Sequence, residues 1–253
     1  MGVRDLVDTN SALHENSTLD SRKRLTACDA LPADVLRLLQ GRRPQPPFEG
    51  FGGMRMRTYT ASLPGLTLSP QQVFATWVSK FPAFWPQGNY FVPCAPTLEP
   101  GVTAAILLTM PAGMRIITGA SVIYMDDTSF TLETLRGHMF AGWITFSAFL
   151  ENGEMAIRTQ ALVRPSDPLY ELTFLFGFGQ KEEDEFWHAT LHNAARHFGT
   201  DAVVVQHNRT VTRDIQWRYF GNICYNAVIR SFPRFFGRSL KKILNTTGTL
   251  KPA

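Results

Sequence analysis

The sequence predicts an α+β domain in which a curved antiparallel sheet wraps around one long C-terminal helix. Three stretches carry this prediction. Residues 54–80 read as a strand followed by a helix, residues 102–164 alternate with a period of two, and residues 181–198 form an amphipathic segment. Packing one helix into the concave face of the sheet is the economical way to bury both apolar surfaces.

Short turns join the strands of the predicted sheet. Asn152-Gly153 is the strongest hairpin signal, because both positions tolerate the positive φ that a type I′ turn requires. Ile144 and Phe146 alternate with more polar neighbours, so one face of the sheet packs and the other can be solvated. The predicted strands cover residues 54–61, 102–110, 114–125, 129–136, 143–151 and 154–164.

Helix signals appear at three places. Ser69 is a typical N-cap and Pro70 a typical first helical residue, followed by an apolar stripe through Trp77. A shorter helix near Val35 is predicted to end at Gly41. In the third helix, over 181–198, the apolar residues Trp187, Leu191, Ala194 and Phe198 share one face.

Composition restricts the class of protein. Of the 253 residues, 44% are hydrophobic and 18% are charged, which is typical of a globular chain with a sizeable core. The N-terminal residues lack a signal-peptide core, and no apolar run is long enough to cross a bilayer. Cys28, Cys94 and Cys224 are few and widely spaced, so we expect reduced thiols and a cytoplasmic protein.

The charge distribution divides the chain. Residues 1–53 are predicted to be an arm and linker, 54–199 the main domain, and 200–253 a basic amphipathic extension. Residues 205–253 contain nine Lys or Arg and one acid. Such a segment favours contact with an anionic membrane surface, or with a protein partner, over nucleic acid. The predicted contact residues are Trp217, Phe220, Phe232, Arg234, Phe236, Arg238, Leu240, Lys241 and Lys242.

A curved sheet and a single helix seldom fill the space between them, so we expect an apolar cavity. Glu133 and Arg158 interrupt apolar patterns and would form a buried pair if both faced inward, although such residues also commonly face water. His138 lies between strands, where it could offer a proton donor at the cavity mouth or simply bond to backbone. The predicted aromatic lining comprises Trp85, Tyr90, Tyr124, Phe146 and Trp187.

Three motifs resemble one known superfamily. They are the run from Leu135 to His138 with Gly142 four residues on, the run from Arg164 to Leu169 that leaves the last strand, and the pair at 186–187. Together they resemble the helix-grip (SRPBCC) superfamily of START and Bet v 1-like domains, and more narrowly its DUF1990 branch. The resemblance covers about residues 54–199. It departs from the branch at 139–140, where Met-Phe stands in place of the usual Pro-Glu.

The leading hypothesis is a protein that binds or carries an apolar or lipid-like small molecule between sheet and helix. One alternative is a cyclase or aromatase-type enzyme using His138 or Glu133, and another is a subunit that docks through its basic extension. No cofactor is expected. Glu185, His188 and His192 share a helix face but lack the Glu that a metalloprotease needs after its first His, so no metal site is expected either.

Overall fold

The computed structural model describes residues 33–110, 113 and 115–231. These residues form an eight-stranded antiparallel sheet in the order β2-β3-β4-β5-β6-β7-β1-β8. The strands are β1 Met54–Leu63, β2 Tyr90–Pro93, β3 Thr103–Thr109, β4 Arg115–Met125, β5 Ser129–Thr134, β6 Phe140–Glu151, β7 Glu154–Pro165 and β8 Val204–Thr212.

Five α-helices accompany the sheet in the described part of the chain. They are α1 Ala33–Leu39, α2 Pro70–Lys80, α3 Pro168–Leu175, α4 Phe178–His197 and α5 Ala227–Ser231. Helix α4 contacts β1, β7 and β8, so the sheet is wrapped around it and the predicted α+β helix-grip fold class is confirmed. Three 3₁₀ helices cover Pro47–Glu49, Phe81–Phe84 and Trp217–Tyr225.

Local signals account for several boundaries. Ser69 is the N-cap of α2, as the sequence predicted, and Gln72 completes a reciprocal capping box with it. Asn152 and Gly153 both have positive φ at the β6–β7 hairpin. Helix α4 begins three residues before its predicted start at Lys181, directly after Gly177.

The main core is aromatic and lies between the inner face of the sheet and helices α2 and α4. Phe146 is 0% exposed at its centre. Its ring stacks on Phe130 at a centroid distance of 4.7 Å and meets the edges of Phe81 and Trp77. Such ring pairs add to the free energy of area burial.

A smaller core lies on the outer face of the sheet. Val35 and Leu39 of α1 pack there with Leu107 and Ile117 of β3 and β4. Both faces of β3 are therefore covered, which explains why its sequence is apolar throughout rather than alternating.

Three elements were not predicted from the sequence. Strand β2 lies outside all of the predicted strands. Strand β8 pairs with β1 along its whole length, whereas residues 200–253 were predicted to be an amphipathic extension. The side chains of Gln206 and Asn208 bond to α4 and to Arg57, so this strand carries no apolar alternation to detect. Helix α3 begins at Pro168, and the carboxylate of its N-cap, Asp167, accepts from the amides of Leu169 and Tyr170.

The segment after β8 is also packed on the domain. Asn222 donates to the carbonyl oxygens of Glu49 and Ser166, and the amide of Ala227 donates to the carbonyl of Gly137. Seven predicted contact residues lie outside the described residues: Phe232, Arg234, Phe236, Arg238, Leu240, Lys241 and Lys242.

The cysteine prediction is wrong at one position. Cys94 is disulfide-bonded, whereas Cys224 is a free, exposed thiol. The cysteines therefore give no support to a reducing compartment. Of the helices in the described ranges, none combines the length and the apolar character that crossing a bilayer requires.

The close approach at Gly137 provides a stability test. Its φ is +93°, and an added Cβ would lie 2.1 Å from the carbonyl oxygen of Tyr225. Gly137→Ala should cost about 1 kcal/mol of backbone strain and a further 1–3 kcal/mol, approximately, of overpacking. Gly153→Ala is the matched control, since its φ is +85° but no atom lies within 4 Å of the added Cβ. Urea unfolding should show the larger loss only at Gly137; equal losses would contradict this packing.

Candidate functional site

A cavity of ≈ 270 Å³ lies between the inner face of the sheet and the α3–α4 hairpin. Strands β3 to β6 supply one wall, and the first half of α4 supplies the other. Most of the lining is apolar, and aromatic side chains dominate the helix side. The apolar residues include Trp85, Ile106, Leu108, Leu132, Met139, Phe140, Ile144, Phe174, Phe186 and Trp187.

Helix packing determines the shape of this cavity. Gly179 in the first turn of α4 lies against the ring of Phe174, where an added Cβ would be 2.5 Å from a ring carbon. A glycine here therefore lets α3 and α4 approach closely. The next turns of α4 then direct Glu183, Phe186 and Trp187 to the cavity wall.

His138 supplies a neutral hydrogen-bond donor. Its Nδ1 accepts from the amide of Phe140 at 3.0 Å, so the ring proton resides on Nε2. The side chain is 6% exposed, and burial lowers the pKa of its imidazole to about 4. At neutral pH the residue therefore presents an uncharged Nε2–H group.

One further donor in the lining, the indole Nε1 of Trp85, has no hydrogen-bond partner among the described residues. The hydroxyl of Tyr170 lies instead beside the backbone amides of Ala227 and Val228. Buried polar groups are nearly always hydrogen-bonded in native proteins. Together with the Nε2–H of His138, the indole of Trp85 gives the cavity two N–H groups for acceptor oxygens.

Glu183 is the one buried acid in the lining. Its carboxylate accepts from the Nη1 of Arg57 on β1, and Arg57 also donates to Asp184 at 2.5 Å. Tyr59 donates to the same Asp184 oxygen at 2.7 Å. Burial raises the pKa of Glu183 to about 7, although Arg57 opposes the shift.

The cavity mouth carries acidic side chains. Glu182 and Glu185 on α4 line the cavity and are exposed, as is Thr109 at the end of β3. Their negative charges repel an anion, attract a cation and leave a neutral molecule unaffected.

The structure places three predicted site residues in the cavity lining, namely Trp85, His138 and Trp187. Phe146 lies deeper, sealed within the aromatic core, and does not reach the cavity. The prediction that Phe146 lines the cavity is therefore wrong, and replacing it with arginine would place a charge in the centre of the core and destabilise the fold.

The other two predicted aromatic residues lie elsewhere. Tyr124 is 51% exposed, and its hydroxyl donates to Asp126 at 2.7 Å. Tyr90 packs against the small outer core with α1. The prediction that both line the cavity is wrong, since their side chains are directed elsewhere.

Glu133 and Arg158 do not form the predicted inward pair. Both belong to the outer face, because their neighbours Leu132 and Ile157 face inward. Glu133 accepts from the indole of Trp143 at 3.2 Å, and burial raises the pKa of its carboxyl to about 7. Arg158 pairs with Glu151 at 3.2 Å instead.

The sequence reading missed Glu183 and Tyr170. Glu183 stands four residues before Trp187, so helical spacing alone places both on the same face of α4. Tyr170 could not be found in this way, because the eight-residue helix α3 that carries it has no amphipathic stripe to mark its inner side.

Fold and cavity together define a helix-grip α+β protein with an internal apolar site. No family model matches the chain, and no curated protein does so either.

Several solved structures are similar. Protein Ms6760 from Mycobacterium smegmatis is 11% identical at a TM-score of 0.41 over 57% of this chain and 90% of that one. Ara h 8.0201 is 11% identical at a TM-score of 0.40, over 58% of this chain and 98% of its own. The di-domain ARO/CYC StfQ from the steffimycin biosynthetic pathway is 9% identical at 0.42 over 57% of this chain and 50% of its own. Likeness at this level carries no argument about function.

Titration of His138 should be visible in stability. The pKa of His138 is about 4 in the folded protein, whereas an unperturbed histidine, as in the unfolded chain, has a pKa of 6.5. The unfolded chain therefore binds more protons than the folded protein between pH 4 and pH 6.5. The contribution of His138 is therefore complete above pH 6.5 and falls toward pH 4 by on the order of 3 kcal/mol.

A comparison with His138→Asn isolates the contribution of His138 titration to the free energy of unfolding. The amide oxygen of asparagine can replace Nδ1 as the acceptor. Glu133 and Glu183 have raised pKa values and contribute with the opposite sign, but equally in both proteins. Urea unfolding at several pH values should show wild type losing its advantage as the pH falls. Parallel profiles for the two proteins would refute the assignment.

Proposed function

We propose that this protein binds and carries a neutral, largely apolar small molecule in the cavity between the sheet and α4. The observation that carries the proposal is the combination of an apolar wall with two N–H donors, the imidazole Nε2 of His138 and the indole Nε1 of Trp85. An apolar pocket with a few converging polar groups is the usual form of a small-molecule site.

Cavity size narrows the ligand class. A volume of ≈ 270 Å³ is slightly below the usual range of about 300–1,000 Å³ for ligand pockets. A dry cavity of about 150 Å³ accommodates benzene. The ligand therefore has about one to two rings, which is smaller than the lipid-like molecule that the sequence suggested.

The charges of the cavity lining narrow the ligand class further. The exposed acids Glu182 and Glu185 disfavour a carboxylate or phosphate in this cavity, whereas the N–H donors of His138 and Trp85 favour carbonyl or ether oxygens. Each 100 Å² of apolar ligand surface buried contributes about 2.5 kcal/mol before the cost of association. An aromatic ketone combines these properties.

Two nearly isosteric probes test this specificity. 2-Acetylnaphthalene should bind in titration calorimetry, and 2-naphthoate should bind at least about tenfold more weakly, because its charge meets acidic groups in a poorly hydrated site. Ile144→Trp should abolish binding of 2-acetylnaphthalene by filling the cavity, whereas Leu150→Trp, at the exposed end of the same strand, should not. Equal binding of the two probes, or unchanged binding in the folded Ile144 variant, would argue against the proposed site.

An acid/base enzyme is the second candidate, of the cyclase or aromatase type. The specific observation is Glu183, a cavity-lining carboxyl whose pKa of about 7 is suited to accepting or releasing a proton at neutral pH. Glu133 is removed from this role, because it lies on the opposite face of the sheet. An enzyme would convert the carried molecule into a chemically altered product, and a carrier would return it unchanged.

Two finer assignments remain proposals. The first is descent from the DUF1990 branch. In its support, the two main motifs are in contact: the Ser166 hydroxyl donates to the carbonyl of His138, and the Ser166 amide donates to the carbonyl of Met139.

The second is contact with an anionic membrane or a protein partner through residues 205–253. Trp217 is 70% exposed and Phe220 is stacked beside it, which supports that surface.

A further inference from the structure

A second concavity, here called the arginine groove, lies between strands β1 and β8 and the α3–α4 junction. Its volume is ≈ 600 Å³, and none of its lining residues also lines the apolar cavity. The lining contains Arg55, Arg57, Arg209 and Arg213 against a single acid, Glu171. Its chemistry is therefore opposite to that of the acidic mouth of the cavity.

One of these arginines is already balanced. Arg57 donates to Glu183, to Asp184, to the carbonyl of Gln180 and, through Nε, to the Oδ1 of Asn208 at 3.4 Å. Its charge and its donors are engaged.

Arg209 lies between Asn208 and Thr210 on β8, so its side chain faces the other side of the sheet. Arg55 and Arg213 together exceed Glu171 by one charge.

Arg55 is the least satisfied group in the groove. Its Nη1 is buried and has no hydrogen-bond partner among the described residues. The guanidinium lies 5.2 Å from the ring centroid of Phe174, which holds it in position without supplying an acceptor. A Glu171 oxygen likewise has no hydrogen-bond partner in the described part of the chain, and its charge interacts with that of Arg55, so an anion bound here competes with Glu171 for this guanidinium.

Strand register brings further donors beside Arg55. Thr210 lies directly across from Arg55, and Asn208 directly across from Arg57. Because the Oδ1 of Asn208 accepts from Arg57, its amide NH₂ is the end left for a ligand. The groove thus combines a guanidinium, an amide NH₂ and a hydroxyl on one face of two paired strands.

We propose that the arginine groove binds a phosphate group. A planar guanidinium matches phosphate oxygens bidentately, and charge-assisted hydrogen bonds of this kind are stronger than neutral ones. The phosphate can belong to a soluble metabolite or to a lipid headgroup, since the chemistry of recognition is the same. This site is independent of the ligand carried in the apolar cavity.

The test is titration calorimetry of the full chain with inorganic pyrophosphate at low salt. Wild type should bind, and Arg55→Gln should weaken binding about tenfold or more. Asn208→Asp should do the same, since it keeps the acceptor for Arg57 but turns the donor into a carboxylate at an exposed position that does not threaten folding. Arg196→Gln is the matched control. It also removes one positive charge, but it lies about 24 Å along α4 from Gln180, the residue of that helix that lines the groove.

Co-sedimentation with vesicles then identifies the source of the phosphate. Phosphatidylcholine vesicles that contain phosphatidic acid should bind and be displaced by pyrophosphate if the source is a lipid headgroup; pyrophosphate binding without vesicle binding identifies a soluble phosphate. Absence of pyrophosphate binding in wild type would overturn the proposal. So would equal binding by the Arg55, Asn208 and Arg196 variants.

Discussion

The buried contact between Arg57 and the acids of α4 is the interaction on which the architecture depends. Arg57 stands on β1 near the edge of the sheet and holds Glu183 and Asp184 in the first turns of the helix. Removing one partner from a buried ion pair costs about 3–5 kcal/mol, because the remaining charge stays buried. This contact therefore sets where α4 lies over the sheet, and with it the positions of Phe186 and Trp187.

The same contact separates two sites of opposite chemistry. On one side Glu183 borders a small apolar cavity whose donors are neutral and whose mouth is acidic. On the other side Arg57 borders a groove with excess positive charge. Because the pair neutralises itself, neither site acquires the charge of its neighbour. A neutral apolar molecule in the cavity and a phosphate in the arginine groove can thus be bound on either side of this contact without competing.

The sequence predicted the elements that carry a long apolar period. It missed the short strand β2 and the strand β8, whose inner face is polar. Trp187 and Leu191 predicted the inner face of α4, and Asn152-Gly153 predicted a hairpin, because periodicity and turn chemistry are local. Strand β8 escaped, since its inner side chains Gln206 and Asn208 bond to polar groups. Phe146 was misplaced because alternation gives the face of a strand but not the depth of a side chain along it. Tyr124 was misplaced because a β-bulge between Val122 and Tyr124 turns it to the outer face of the sheet.

The most direct test of the central claim is native mass spectrometry of the protein purified from its own host, followed by denaturation and identification of the released molecule. The account predicts one neutral molecule per chain, with about one to two rings and at least one acceptor oxygen, and its recovery unchanged. A protein that is empty, or that carries a long-chain anionic lipid, would contradict it.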